Sequence, residues 1–511
     1  MGAQADEAAS RSYVAYAEPA GRWVLAATVL GSGLAFIDAT VVNIALPEIG
    51  RDLDAGLSGL TWTVNAYTLT LASFILLGGS LGDRLGRKRI FVFGVVWFAI
   101  ASLICGIAPN IEVLVAARAV QGVGGALLTP GSLAIIQASF RKEDRTRAIG
   151  AWSGLGGIAG AAAPFIGGWL IQAASWRWIF LINLPVAVAV VVMAARHVPE
   201  SRDPRAAART DVVGAALAAT GLAGLTYGLI AWAGSGFSAP RVWISLVCGG
   251  AGLAAFLLWE SRSSRPMLPL DIFASRVFSA TNAVTFLMYG ALGGVFFWLV
   301  LYLQVVAGFD PLEAGLSLLP ITVIMLAFSA RSGALSERIG ARLPMTVGPI
   351  LAAVAVAGLT RIERGSSYLF DILPPVTLFG LGLVLTVAPL TSTVLAAVPD
   401  DNAGLASGVN NAVARVASLL AVAALPVVAG LGERGYGDPQ ELGPAFVTAM
   451  WVCVGLLATA GILSAVFVAS PGPTSETPQP AQPVAPRRFC AADGPPLSPV
   501  VPMDEGTPGA L

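Results

Sequence analysis

Two charges stand inside stretches that are otherwise apolar: Asp38 in LAFIDATVVNIALP (Leu34 to Pro47) and Arg118 in LVAARAVQGVGGA (Leu114 to Ala126). A charge deep in a bilayer is costly, so such residues face a cavity or a partner and do work there. Asp38 lies 8 residues from the far end of the first apolar run, and Arg118 lies 7 residues into the fourth, counted from the same side. At the helical rise both sit about 10–12 Å below one membrane surface. An acid and a base at matched depth can pair, and a proton can take the arginine's place as the acid's partner. The chemistry this suggests is reversible proton uptake by Asp38, with Arg118 tuning its affinity. The alternative is a permanent ion pair locking two helices together. It is less favoured, because buried pairs kept only for stability gain little.

Three further groups accompany the pair. Gln121, Gly122 and Gly125 fall three, four and seven residues after Arg118, on one helical face. In VNNAVARVA (Val409 to Ala417), Arg415 lies about 18 Å deep with no evident acidic partner, and Asn411 is one turn away. Asn43, Gln121, Asn410, Asn411 and Arg415 are therefore candidate cavity residues; for Arg415 a structural polar cluster is an equal alternative. Gly156, Gly160, Pro164 and Gly168 are spaced four apart, with Gly167 beside the last. Small residues at that interval let helices touch along their backbones, and the proline bends its helix.

A ten-residue segment occurs twice, GSLGDRLGRK (Gly79 to Lys88) and GALSERIGAR (Gly333 to Arg342), each between long apolar runs. Membrane orientation alone explains the basic residues of such loops. It does not explain Gly79, Asp83 and Gly86, or Glu337 at the position matching Asp83. Together with Arg84, Arg87 and Arg338 these read as a conformational latch, a clasp with a neighbouring helix end that holds one access state.

The elements that must position these groups are membrane helices. Of 511 residues 56% are hydrophobic and 12% charged, with mean hydropathy +0.77, against about 25% charged in a soluble domain. Fourteen apolar runs between residues 23 and 469 are long enough to span a bilayer. Of 30 basic residues, 22 lie in the two tails and the loops after even-numbered runs, six in loops after odd-numbered runs and two inside runs. That bias places both termini and both copies of the repeated loop in the cytoplasm. The copies follow runs 2 and 10, so two extra helices, roughly 211–232 and 241–260, separate two six-helix bundles. The expected organisation is a tail over 1–22, a bundle over 23–195, a linker with two helices over 196–277, a bundle over 278–469, and a proline-rich disordered tail over 470–511. The four cysteines are isolated and suggest neither disulfides nor a metal site.

The motifs taken together resemble the fourteen-helix drug:proton antiporter branch of the major facilitator superfamily. GSLGDRLGRK is similar to that superfamily's loop signature, LAFIDATVVNIALP to the helix 1 signature of the branch, and LVAARAVQGVGGA to the helix 4 motif. GAAAPFIGG (Gly160 to Gly168) resembles the helix 5 antiporter motif, and WRWIFLINLP (Trp176 to Pro185) the opening of helix 6. In one departure, Ala163 stands where the family has glycine before the proline. The resemblance implies an all-α fold of two six-helix bundles plus two central helices, in the cytoplasmic membrane. It implies proton coupling through Arg118, and gating by the helix 5 motif (Gly156, Gly160, Pro164, Gly167, Gly168).

The expected function is proton-coupled export of lipophilic small molecules, with the proton as coupling ion and no cofactor. Few buried acids and two buried arginines lean the cargo towards neutral or weakly acidic compounds. A proton-coupled importer of a metabolite, or a non-transporting sensor on the same scaffold, are the alternatives. No glycine-rich phosphate loop exists for ATP, and the single histidine, His197, is expected in a loop. An enzyme or a nucleic-acid partner is therefore not expected; the expected partners are the cargo and membrane lipids.

Overall fold

A computed structural model of the chain describes residues 13–202, 211–264, 266–398, 403–432 and 435–468. Both tails expected from the sequence fall largely or wholly outside this range, as does part of the linker. The described residues are helical, with no strand beyond an isolated bridge between Val14 and Phe140. Fourteen long helices follow: α1 (Pro19–Asp52), α2 (Leu57–Leu85), α3 (Arg87–Gly106), α4 (Ile111–Ser139), α5 (Lys142–Ala173), α6 (Trp178–His197), α7 (Val212–Ser235) and α8 (Pro240–Arg262). The rest are α9 (Arg276–Val305), α10 (311–339), α11 (Arg342–Leu359), α12 (Tyr368–Ala396), α13 (Ala403–Val428) and α14 (Pro439–Phe467). Thirteen of them are long and apolar enough to cross a membrane by length and composition. The other, α5, has 32 residues.

Local chemistry sets the ends. Pro19, Pro240, Pro311 and Pro439 open their helices at positions where no backbone donor is needed. Asn110, Asp211, Ser275 and Asp310 cap exposed N–H groups with side-chain oxygens. Gly86, at φ 122°, makes the turn between α2 and α3 that a side chain would resist. Helix α1 runs six residues beyond its apolar run, because Pro47 is accommodated inside it and Arg51 pairs with Glu48 at 2.7 Å. Asp38 is therefore farther from its helix end than the hydropathy suggests.

Two faces of the molecule can be told apart. The repeated loops lie at one end, called here the basic end; the α1–α2, α5–α6, α9–α10 and α13–α14 connections lie at the other. In the first half, α2 and α3 pack against α4, and α1 against α5 and α6. In the second, α9 packs against α13 and α14, α11 against α12 and α14, and α10 against α12. The halves meet along α2 with α13, α5 with α10, and α1 with α9. The extra helices form a hairpin whose α7 lies across the α2–α13 seam, where Leu222 packs with Leu69 and Leu419 and the Tyr227 ring lies 6.4 Å from Trp62. α7 therefore covers one of the two lateral seams, and α8 packs mainly on α7.

Candidate functional site

Asp38 and Arg118 are paired. Arg118 Nη1 donates to Asp38 Oδ2 at 2.5 Å, with the arginine 1% and the aspartate 2% exposed. The remaining hydrogen-bonding capacity of both groups is largely filled. Gln121 Nε2 donates to Asp38 Oδ1 (2.9 Å), and Asn183 Nδ2 reaches the same oxygen at 3.5 Å. Both amides also donate to Ser102 Oγ, at 2.7 and 3.2 Å. Arg118 Nε donates to the Thr63 carbonyl (3.0 Å), Nη1 also to Gln121 Oε1 (2.6 Å), and the guanidinium lies 4.3 Å from the centroid of the Tyr67 ring. Five helices, α1 to α4 and α6, thus converge on one ion-pair network. Charged pairs survive burial only when their partners are supplied this fully.

The α4 strip beneath the arginine does what its spacing predicts. Gly122 sits against Tyr67 and Thr70 of α2, and Gly125 against Tyr67. Gln121 shares the arginine's face but does not line the cavity as expected; it belongs to the ion-pair network. Asn183, Ser102, Thr63 and Tyr67 complete that network; Asn183, Ser102 and Thr63 were not singled out by sequence reasoning, and Tyr67 counted only among aromatics that could line a cavity. Asn183 had a signal, an amide inside the apolar stretch WRWIFLINLP at the point where α6 is interrupted at Ile182. Ser102 and Thr63 had none.

A cavity of about 490 Å³ lies between the halves on the other side of α1. Phe36, Thr40 and Asn43 of α1 face it, together with Tyr289 and Phe296 of α9 and Asn411 and Arg415 of α13. Asn410 lines it too while donating to Thr285 Oγ1 (2.7 Å) and Asn282 Oδ1 (3.2 Å), which ties α13 to α9. Helix α1 is two-faced: Phe36 and Thr40 point to the cavity and Asp38, between them in sequence, to the ion pair. A groove of about 750 Å³ between α10 and α12 is larger, but it is lined by the second half alone and reaches none of these polar groups.

The cavity is closed at the end away from the basic loops. Among the described residues, the three side-chain hydrogen bonds between the halves are all there: Gln304 Nε2 to the Ile44 carbonyl (3.0 Å), Gln172 Nε2 to Asp310 Oδ2 (3.2 Å) and Tyr436 Oη to the Ala55 carbonyl (2.7 Å). The glycine-proline motif of α5 is part of this closure. A methyl group on Gly168 would lie 2.7 Å from Leu312 Cα, and one on Gly315 would lie 2.6 Å from the Pro164 carbonyl oxygen, so α5 and α10 touch backbone to backbone. Gly167 meets Val41 of α1, and Ala163 is fully buried in the core that contains Val41 and Ile44. Gly156 and Gly160 lie in α5, and their surroundings fall outside the described set. Towards the basic end the lining continues to Ser407 and to Leu395, which is 37% exposed.

The loop residues are clasped within the first half. Arg87 bonds Asp83 at 2.8 Å, Lys88 Nζ donates to the Ala195 carbonyl (2.9 Å), and the Lys88 backbone N–H donates to Glu200 (3.2 Å). The neighbouring helix end that receives the loop is therefore that of α6. Gly79 faces Pro130, and Arg84 and Arg338 are exposed. The side chain of Glu337 falls outside the described residues.

Comparison with known proteins agrees with this arrangement. The family description "Major Facilitator Superfamily" matches residues 28–422. The chain is 35% identical over 402 residues to the multidrug resistance protein Stp of Mycobacterium tuberculosis, covering 78% of this chain and 74% of that protein. It is 35% identical over 405 residues to the tetracenomycin C resistance and export protein of Streptomyces glaucescens (79% and 75%), and 35% identical over 469 residues to the puromycin resistance protein pur8 of Streptomyces alboniger (89% and 92%). Among solved structures, a bacterial homolog of the human lysosomal transporter Spinster, in an inward-facing and unoccupied conformation, aligns with TM-score 0.63 at 17% identity, covering 89% of this chain and all of that one. A D-xylose–proton symporter aligns with TM-score 0.63 at 14% identity, covering 88% and 98%. With two packed six-helix bundles, a cavity between them and a family match across most of its length, the chain belongs to the major facilitator superfamily.

Proposed function

We propose that this protein is a proton-coupled exporter of lipophilic small molecules, working by alternating access in the cytoplasmic membrane of a bacterium. The observation that carries the reading is the buried Asp38–Arg118 pair on the face of α1 opposite the cavity. The drug-resistance and export names of its relatives support the direction and the cargo class. With the basic end in the cytoplasm, the closed end is external and the cavity faces inward.

Cargo enters the cavity while Asp38 is ionised and held by Arg118. After the cavity reopens outward, a proton from outside neutralises Asp38 and ends its charge attraction to Arg118. Gln121 and Asn183, both of which donate to Ser102, keep the neutral acid hydrogen-bonded. The interaction lost joins α1 to α4, and the other face of α1 lines the cavity, so the change in protonation reaches the cargo through the helix. The proton leaves inside, and the pair re-forms. No cofactor takes part; the proton is the coupling ion. Each charge moved down 100 mV supplies about 2.3 kcal/mol.

The test is proton release from acidified inverted membrane vesicles on adding a panel of lipophilic compounds, with wild type and Asp38→Asn. Asn keeps the shape and one acceptor oxygen but not the charge, so the variant mimics the protonated acid and should bind cargo while transport is uncoupled. Discharge of the gradient by Asp38→Asn at the wild-type rate, or loss of the folded protein, would remove Asp38 from the coupling path.

A further inference from the structure

The central cavity contains a charge with no counter-charge. Arg415 lines it half-buried, and no carboxylate lines it with Arg415. Among the described residues no acid lies within ion-pair distance of its guanidinium, whereas Arg118 is paired with Asp38 behind α1. A guanidinium presents a rigid fork of donors that matches a carboxylate or other oxyanion and cannot be discharged by losing a proton. Asn411, one turn before Arg415, faces the same space. Across the cavity Asn43 donates to the Ala39 carbonyl (3.1 Å), while its own Oδ1 is buried without a hydrogen-bond partner. That oxygen is an acceptor waiting for a donor. The walls between are apolar and aromatic, with Phe36, Tyr289 and Phe296 among them.

We propose that Arg415 is the specificity-determining residue of this cavity and that its cargo is an aromatic organic monoanion, a carboxylate, enolate or ionised phenol, carrying a hydroxyl or N–H group for Asn43. The inference rests on the export reading and deepens it by fixing the charge of the cargo. An anion completes Arg415 and takes its place between the rings. A neutral compound fills the same volume but leaves the guanidinium unpaired, and a cation meets like charge with no acid to receive it. Asp38 offers no help to a cation, since both its oxygens are engaged on the far face of α1.

The test uses three probes on one ring system: 6-hydroxy-2-naphthoate, 6-hydroxy-2-naphthamide and 6-hydroxy-2-naphthylmethylammonium. Their affinities are measured by calorimetry on the full chain in lipid nanodiscs, for wild type, Arg415→Gln and Arg415→Lys. Wild type should bind the naphthoate about tenfold or more tightly than the amide, the ammonium compound most weakly. Arg415→Gln should erase that preference with the amide affinity unchanged, and Arg415→Lys should keep most of it. Equal affinity of wild type for the three probes overturns the proposal, as does no naphthoate binding at about 1 mM. So does an equal loss of both ligands in Arg415→Gln, which would mark a packing role. If the glutamine variant does not fold, the comparison of probes on wild type and Arg415→Lys decides. Proton release driven by the neutral amide, without any charge preference in binding, would leave export standing and sink the anion.

Discussion

A methyl group added to Gly168 should hold the outer end of the transporter open. In the structure its Cβ would lie 2.7 Å from Leu312 Cα and 2.8 Å from the Pro311 carbonyl oxygen. Both are backbone atoms of the opposite half, so neither can swing away. Overpacking of this kind costs about 1–3 kcal/mol. In the outward-open state of the proposed cycle α5 and α10 would separate at this end and give the methyl group room. The cost therefore falls on one state only, and the equilibrium between the two should move by about 5- to 150-fold. Nitroxides on Glu112→Cys and Gln440→Cys, exposed at the ends of α4 and α14 away from the basic loops, report the opening as a distance distribution by pulsed electron resonance, with the native cysteines replaced. Gly168→Ala should transfer population to the longer distance and slow transport, because each cycle must pass through the closed state. Gly315→Ala, aimed at the Pro164 carbonyl from the other side, should act in the same direction. An unchanged distance distribution with a lowered melting temperature would show that the seam absorbs the methyl group in every state, and the gating role of the motif would fall.

Two other substitutions separate the outer seam from the rest of the packing. Tyr436→Phe removes the 2.7 Å bond to the Ala55 carbonyl, a bond worth about 0.5–1.5 kcal/mol. It should open the outer end by a smaller factor than Gly168→Ala in the same distance measurement. Burial, and then Asp54, hold the Tyr436 phenol above its ordinary value, so the hydroxyl stays protonated and the effect should be flat across neutral pH. Gly122→Ala, by contrast, drives a methyl group into Thr70 Oγ1 and the Tyr67 carbonyl, both in the same half as Gly122. It should lower thermal stability by about 1–3 kcal/mol in either state and leave the outer distance unchanged.

What the sequence made legible follows from what periodicity can carry. The helices were readable because a bilayer-spanning run is long and uniform, and the repeated loops divided them correctly around two extra spans. The Asp38–Arg118 contact was readable because charges are rare enough inside such runs that two of them at similar depth suggest each other. Gln121 marks the limit. Spacing placed it on the face of Arg118, but spacing does not tell which way a face turns, and this one turns to the ion pair instead of the cavity. For the same reason Phe36 and Phe296, which line the cavity, were indistinguishable from lipid-facing phenylalanines. The α5 motif announced close packing without naming its partner; only the placement of Leu312 and Gly315 against Gly168 and Pro164 identifies it as a seal on one end.

The separation of the two sites by α1 has an energetic consequence. Where proton and cargo compete for one carboxylate, the cargo must be a cation, and each cation exported for a proton moves no net charge, so the membrane potential contributes nothing. Here Asp38 is satisfied by Arg118, Gln121 and Asn183 on one face of α1, and the cavity on the other face offers Arg415. In the mechanism proposed above, coupling then passes through movement of the helix, and the charge of the cargo is free to be chosen on other grounds. A monoanion leaving as a proton enters moves two charges in the direction favoured by an inside-negative potential. At 100 mV that is about 4.6 kcal/mol for a one-to-one exchange, twice the drive available to a neutral cargo. Arg415, which has no acid at ion-pair distance among the described residues and is costly to keep in a membrane, would on this proposal let the exporter use the whole potential.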